Sequence, residues 1–429
     1  MLRKKERKRL MLDTKADVCV VGLGYIGLPT AVFFANAGLD VVGVDVNTER
    51  LKRIQAGRSP FHEHGLEALL LEARESDKLE TSPRVLAART FIVAVPTPLT
   101  EEKTADLSFV MSAVEEIAQV LQGGELIIIE STCPPGTTRK IFELVERLRP
   151  DLCTDNSTDG VEFAYCPERV LPGNMVAEFV HNNRIVGGTS EAAADRAGRL
   201  YEKVCEGDVH RTDAATAELA KLAENTFRDI NIAFANELSI LADSQKVDVW
   251  RLIELANLHP RVNILNPGPG VGGHCIAVDP WFLAEENPEH AKLTIAGRRV
   301  NDFKTDWVIE RIQSRLNSEP SEPVIFWGLT FKSDVDDLRE SPALHIVHEI
   351  LELNPGRKVK VIEPFLVSLP ESLDFYDNVE LISIPDKMES INVFLVGHSA
   401  FRDYLAKTKK GPNSSDLDFV GLLNDNHGK

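Results

Sequence analysis

No run of apolar residues in the 429-residue sequence is long enough to span a bilayer, so no membrane-crossing helix is expected. Positive charge is scarce. Lys and Arg number 48 against 66 Asp and Glu, a formal net charge of −18. That balance argues against general binding to nucleic acid or to an anionic membrane, although a local basic site for phosphates remains compatible with it. The six cysteines, at 19, 133, 153, 166, 205 and 275, form no CxxC pair and no zinc spacing. Neither a metal site nor a disulfide framework is expected, and a reducing cytoplasm fits, where a thiol stays reactive. Short-period repeats and sizeable low-complexity segments are absent. The basic opening MLRKKERKRLML is followed by no apolar core or cleavage site, so residues 1–12 read as a solvated tail.

The length is too great for one small core and implies two or three domains. Apolar residues make up 43% of the chain, as in soluble globular proteins. Residues 17–21 read as a short strand, followed at once by Gly22-Leu23-Gly24-Tyr25-Ile26-Gly27, a helical run to Gly38 and a second strand, 40–44, ending at Asp45. This is the context in which GxGxxG becomes a dinucleotide fingerprint. Gly22, Gly24 and Gly27 make the tight turn and admit a pyrophosphate, which then faces a helix N-terminus. Asp45 lies eighteen residues after Gly27, near the spacing of a ribose-binding carboxylate, and favours NAD over NADP. Arg50 is either a contact for the adenosine end or a solvated helix charge.

Strand and helix continue to alternate. Segments 91–95 and 126–130 run into Pro96-Thr97-Pro98 and Ser131-Thr132-Cys133-Pro134-Pro135-Gly136. Ligands of open parallel sheets sit beyond the carboxyl ends of strands, so Thr97 and Thr132 are candidate cofactor contacts; the alternative is that each caps the next helix. Segments 162–165 and 184–186 are further strands, and Cys166-Pro167-Glu168-Arg169-Val170-Leu171-Pro172-Gly173 follows the first of them. A helix without proline or glycine is expected from 213 to about 245. It places Lys221, Asn225 and Arg228 on one face, with Ala220, Leu222, Ala223 and Phe227 packing the other sides. Segment 249–258 is helical and leads to His259-Pro260-Arg261. Strands at 324–327, 359–362 and 392–396 make a second, smaller α/β run without a fingerprint, and the last twenty residues read as a polar, frayed end.

The most chemically suggestive stretch is 266–282, NPGPGVGGHCIAVDPWF. Four glycines wall one cysteine, Cys275, with Asp279 four residues on, which suggests a nucleophile in a tight pocket. Two nucleotide-type domains, NAD and a nucleophilic thiol together fit oxidation of an alcohol to an acid. An aldehyde becomes a good hydride donor once a thiolate adds to it, and the resulting thioester is hydrolysed. In this reading Cys275 attacks, Lys221 and Asn225 stabilise oxyanion charge, Asp279 assists proton transfer and Glu168 aids hydrolysis. Lys221 is equally eligible as the base.

Seven ordered motifs, GLGYIGLP, AVPTP, ESTCPPGTT, CPERVLPG, LAKLAENTFRDINIAFANEL, GPGVGGHCIAVDP and FKSDVDDLRESP, resemble the UDP-glucose/GDP-mannose dehydrogenase family over nearly the whole chain. The resemblance implies an NAD-dependent, two-step oxidation of a UDP-sugar through a cysteine thiohemiacetal and thioester. It implies Cys275 as nucleophile and Lys221 as acid/base. It sets Tyr25, Ile26, Asp45, Thr97, Thr132 and Arg339 at cofactor positions. Arg169, Val170, Asn225, Arg228, His259, Arg261, Gly272, Phe331 and Lys332 fall at substrate positions. The implied architecture is α/β, with two Rossmann-like doubly wound domains joined by a long central helix. The expected segments are an NAD-binding domain at 13–211, a helical dimerisation domain with the cysteine loop at 212–318, and a UDP-sugar-binding domain at 319–429. The expected assembly is a homodimer or larger homo-oligomer. The glucose branch of the family has a lysine shortly after the cysteine and a second glutamate, where this chain has Val278 and Pro172, so glucose is disfavoured. Similarity is greatest to the branch acting on UDP-N-acetyl-D-mannosamine, with the UDP-N-acetylglucosamine branch as the alternative. From other classes, a single-step hydroxyacid dehydrogenase and a non-catalytic NAD-sensing module leave Cys275 without a purpose.

Overall fold

In the computed structural model, which describes residues 16–152, 160–170, 173–385, 390–408 and 415–424, the chain divides into two units after Ala223. The first contains β1 (Ala16–Val21), β2 (Val41–Val44), β3 (Leu79–Ser82), β4 (Ala88–Val93), β5 (Leu126–Ile129), β6 (Glu162–Tyr165), β7 (Arg184–Gly188) and β8 (Val209–Asp213). They form one sheet in the order β3-β2-β1-β4-β5-β6-β7-β8. Its central strands β1, β2, β4 and β5 are rich in apolar residues because helices cover both faces. Alternate residues of β5 serve two cores. Ile127 and Ile129 pack with the helices Ser108–Val120 and Thr137–Leu148, and Leu126 and Ile128 with Gly27–Asn36 and Glu191–Tyr201. The sheet departs from the expected parallel arrangement at one place, where β6 and β7 pair antiparallel. That reversal matters for the site described below.

The second unit holds a sheet of β9 (Val324–Trp327), β10 (Val359–Ile362), β11 (Val379–Leu381), β12 (Ile391–Phe394) and β13 (Leu417–Asp418), in the order β11-β10-β9-β12-β13, all parallel. The turn after its first strand repeats the turn after β1. Gly22 (φ +93°) and Gly328 (φ +98°) take the same left-handed conformation. Each donates its N–H, at 2.8 Å, to the last carbonyl of the neighbouring strand, Val44 and Ile362. Leu23 N–H then meets the Asp45 carboxylate at 2.9 Å, and Leu329 N–H meets Glu363 at 2.7 Å. Both domains are therefore doubly wound on one plan, although only the first carries GxGxxG.

The long helix is Ala214–Ser244 and the cysteine loop ends in a short helix, Asp279–Ala284. A further helix, Lys292–Ser318, went unread in the sequence because much of its buried side is polar: Arg298, Asn301, Lys304 and Thr305. These residues meet polar partners on the long helix. Arg298 Nη1 donates to Asp229 at 2.7 Å, Asn236 Nδ2 to Asn301 at 2.9 Å and Lys304 Nζ to Ser239 Oγ at 2.7 Å. The same network reaches the glycine-rich loop, where Asn236 Oδ1 accepts from Gly268 N–H at 2.9 Å and Thr305 Oγ1 donates to the Pro269 carbonyl at 3.0 Å.

Three expectations need correction. Ala223 and Phe227 do not pack; they lie on an exposed face of the long helix, which no element among the described residues covers. The β4 strand stops at Val93, before the Pro96 and Pro98 that cannot join a ladder. The final residues are not wholly frayed, since β13 pairs with β12, and Phe419 and the buried Leu422 pack on the domain. The basic tail lies outside the described residues.

Lys304 provides a test of this polar packing. Burial, opposed in part by the charge of Asp243, pushes its ammonium down from 10.5 to about 7. The unfolded chain then binds this proton more tightly than the folded one, so stability rises with pH from about 7 towards the unfolded value of about 10.4. Below about pH 7 the cost of burying the charge is complete. Lys304→Met removes that cost, so its stability relative to wild type should be about 2 kcal/mol more favourable at pH 6 than at pH 9. Urea unfolding at the two pH values measures this, and an equal difference at both would show that Lys304 is not the titrating group.

Candidate active site

At the carboxyl edge of the first sheet, the fingerprint turn has the properties a dinucleotide needs. A Cβ on Gly22 would meet the Ala94 carbonyl oxygen at 2.6 Å, and one on Gly27 would collide with the Gly22 carbonyl. Nothing lies within 4 Å of where a Gly24 side chain would start, which leaves room beside the backbone for a pyrophosphate. Tyr25 and Ile26 are half-buried, and the Tyr25 hydroxyl bonds the buried Glu63. Asp45 is buried and accepts from Leu23 and Asn47 N–H and from Arg50 Nη1 at 2.8 Å. Arg50 is thus paired with the ribose-position carboxylate rather than simply solvated. Thr97 and Thr132 come together: Thr97 Oγ1 donates to the Thr132 carbonyl at 2.7 Å. Neither caps the following helix, whose N-caps are Leu107 and Gly136.

Glu168 follows β6 and is buried. Its Oε1 accepts from Arg169 N–H at 2.7 Å, and its Oε2 from both terminal nitrogens of Arg184 at 3.2 Å. Arg169 donates to the Asn183 carbonyl at 3.0 Å and Val170 is half-buried. Leu171 and Pro172 lie outside the described residues. Glu63 also accepts from Gly173 and Met175 N–H, each at 3.0 Å, joining the segment after this motif to Tyr25. Lys221 is buried on the long helix.

In the second unit Cys275 is exposed, and its carbonyl accepts from Val278 N–H at 3.1 Å and Asp279 N–H at 2.8 Å. Asp279 is 2% exposed, and its Oδ2 accepts from Asn225 Nδ2 at 2.6 Å. The structure thus brings together two candidates separated by 54 residues in sequence. Glycines are required where the loop meets the second domain. A Cβ on Gly272 would collide with the Glu340 carbonyl, and one on Gly273 (φ +82°) would sit 2.7 Å from the Phe331 ring. Arg339 pairs with Asp337, at 2.6 Å from its Nη2, and Phe331 N–H donates to the Asp337 carbonyl at 3.1 Å. Lys332 is exposed. Arg228 is exposed as well, although Asn225, one turn earlier, is buried. His259 and Arg261 share an exposed turn, with Arg261 N–H donating to His259 Nδ1 at 3.3 Å.

Sequence reasoning missed several residues around these groups. His274 precedes the thiol; burial first, then the charge of Arg339, lowers its pKa. Glu363 and the fully buried His398, whose Nε2 lies 3.1 Å from Glu363, fix the turn that carries Phe331 and Lys332. Glu130 and Arg184 surround Glu168. The usable signal for Glu363 was its place one residue past a strand, as Asp45 is past β2.

Comparison with known proteins agrees with this arrangement. Residues 16–205, 215–303 and 325–418 match the NAD binding, central and UDP binding domains of the UDP-glucose/GDP-mannose dehydrogenase family. A UDP-N-acetyl-D-mannosamine dehydrogenase from Escherichia coli K12 is 43% identical over 90% of this chain and 94% of its own. An NDP-N-acetyl-D-galactosaminuronic acid dehydrogenase from Ralstonia nicotianae is 44% identical over 90% of this chain and 91% of its own. The solved UDP-D-ManNAc dehydrogenase of Pyrococcus horikoshii superposes with a TM-score of 0.83 at 36% identity, covering 95% of this chain and 96% of that one. With the fingerprint turn, the glycine-walled thiol and the second doubly wound domain all present, the chain belongs to the UDP-glucose/GDP-mannose dehydrogenase family.

Proposed function

We propose that this enzyme oxidises the C6 alcohol of UDP-N-acetyl-D-mannosamine to the carboxylate of UDP-N-acetyl-D-mannosaminuronic acid. The observation that carries the reading is Cys275, an exposed thiol on a glycine-walled loop, with the buried Asp279–Asn225 pair within one helical turn. NAD would be held at the turn of Gly22, Gly24 and Gly27 and at Asp45, and two NAD molecules in succession would each take one hydride. The Cys275 thiolate adds to the C6 aldehyde, forming a C–S bond. The hydrogen left on that carbon becomes hydridic, as it is not in a free aldehyde, and its loss leaves a thioester. Lys221 and Asn225 stabilise oxyanion charge, Asp279 or Lys221 moves the proton, and Glu168 assists hydrolysis.

Support for the sugar comes from the names of the Escherichia coli and Pyrococcus horikoshii relatives and from Val278, an apolar residue at the place where the glucose branch has a lysine. Arg169, His259 and Arg261 supply donors suited to an acetamido group. The Ralstonia relative favours a second reading, in which the substrate belongs to the N-acetylgalactosamine series. The outer face of the long helix supports a homodimer or larger homo-oligomer, because Phe227, Phe234 and Leu241 recur every seven residues and are 67%, 49% and 51% exposed. Residues 212–318 would then be the dimerisation domain. A cytoplasmic setting keeps the thiol reduced, and an activated uronic acid suits polysaccharide biosynthesis.

The test supplies the UDP-activated N-acetylmannosamine, N-acetylgalactosamine, N-acetylglucosamine and glucose separately to epimerase-free enzyme and counts NADH against acid. Two NADH per acid are expected, with kcat/KM for the mannosamine sugar at least about 100-fold above the other three sugars. A higher value for the galactosamine sugar would establish the second reading. A ratio near one NADH per product would end the covalent route.

A further inference from the structure

The hydrolytic carboxylate sits in a buried cluster that the reaction as described does not use. Because β7 runs antiparallel to β6, its first residue lies at the edge where β5 and β6 end. Continuing the register Ala164↔Gly188 and Tyr165↔Gly187 by three residues sets Glu168 opposite Arg184. Arg184 is 4% exposed and its guanidinium lies over two rings, 4.1 Å from Phe179 and 5.1 Å from Tyr201. Phe179 in turn stacks on Phe33, 4.3 Å away, on the helix that opens the dinucleotide fold. The guanidinium is thus fixed in plane and points two N–H groups at one oxygen of Glu168.

Glu130, directly after β5, completes the cluster. It is 1% exposed, and accepts from Thr30 Oγ1 at 2.9 Å and Tyr201 Oη at 3.2 Å. Burial first, then the charge of Glu168, pushes its carboxyl up to about 8, so it holds a proton at neutral pH and leaves Arg184 to Glu168. Two ionised carboxylates sharing one buried guanidinium would pull it two ways.

We propose that Arg184 is a positioning residue for hydrolysis: through its fork it holds the Glu168 carboxylate in the orientation that takes a proton from the attacking water. In the step concerned, water oxygen bonds to the acyl carbon, the C–S bond breaks, the sulfur of Cys275 leaves with its electron pair and one water proton passes to Glu168. The inference rests on the hydrolytic role proposed for Glu168, and nothing in it requires Arg184 to touch substrate. Removing the fork slows the thioester step alone and leaves the two oxidations that precede it.

The experiment mixes excess NAD and UDP-N-acetyl-D-mannosamine with stoichiometric enzyme and follows NADH and intact protein mass. Arg184→Gln is expected to give a burst of two NADH per site, then turnover about 100-fold slower, with the acyl group accumulating on Cys275. Arg184→Lys keeps the cation without the fork; it should accumulate the acyl-enzyme to a smaller degree, and it decides the matter if the glutamine variant does not fold. Glu168→Gln run alongside should accumulate the acyl-enzyme as well. If Glu168→Gln does so and neither Arg184 variant does, the positioning role is overturned and the hydrolytic role of Glu168 stands. If Glu168→Gln hydrolyses at the wild-type rate, the underlying reading fails and the inference fails with it. A loss of the NADH burst in the lysine variant would assign Arg184 to the fold at large and overturn the proposal.

Discussion

Cys275→Ser is expected to lower acid formation by at least about 10³-fold while leaving binding of NAD and the UDP-sugar intact. The reason is the nucleophile's chemistry. A free thiol titrates near 8.5, so a few per cent is thiolate at pH 7 and reacts readily, whereas a serine hydroxyl needs a strong base to do the same. Sulfur is also the better leaving group when water opens the acyl-enzyme. The exchange of one atom on an exposed loop position disturbs neither the glycine contacts with Phe331 and Glu340 nor the backbone bonds from Val278 and Asp279 to the Cys275 carbonyl. Cys133 is the natural control. It is fully buried, burial raises its thiol pKa far above the ordinary value, and its Sγ donates to the Ser131 carbonyl at 3.3 Å. Cys133→Ser keeps that bond and should leave acid formation within about twofold of wild type. Calorimetry with each ligand and acid measured by NMR read both variants. Acid production by Cys275→Ser near the wild-type rate would remove the covalent route altogether.

Legibility from sequence followed a physical pattern. The first turn could be read because GxGxxG states a backbone requirement in residue identities, and Asp45 follows at a fixed distance. The second turn makes the same bonds, but only Gly328 still shows it; Thr330 stands at the second glycine's place and Glu363 at that of Asp45. Strands β5 and β9 stand out because burial on both faces demands unbroken apolar runs. The helix Lys292–Ser318 does not, because the buried side of its first half is polar, at Arg298, Asn301, Lys304 and Thr305, and an apolar period, Val308, Ile312 and Leu316, begins only after them. The pairing of Glu168 with Arg184 depends on the one antiparallel pairing in an otherwise parallel ladder, and no spacing along the chain encodes that reversal. The bond from Asn225 to Asp279 is a tertiary contact of the same kind. Both residues were picked out for their chemistry, not for their contact.

That contact leads to the second large effect. Asp279→Asn is expected to reduce acid formation about 100-fold or more with little loss of stability. An asparagine at 279 can turn its carbonyl oxygen to Asn225 Nδ2, so the 2.6 Å bond survives and only the charge is lost. Asn225→Ala has the opposite balance. It strips a donor from a carboxylate that is 2% exposed, which costs roughly 1–3 kcal/mol in stability, and it weakens the hold on the helical turn that follows Cys275. Exchanging the pair, Asn225→Asp with Asp279→Asn, separates architecture from chemistry. The exchanged protein again has one carboxylate and one amide in contact, so its stability should return to within about 1 kcal/mol of wild type. Its rate should stay low, because the charged group now projects from the long helix instead of from the turn that carries the nucleophile. Unfolding midpoints and single-turnover NADH traces give the two readouts. Recovery of the rate together with the stability would mean that the pair only holds the loop, and the proton would then have to be moved by Lys221.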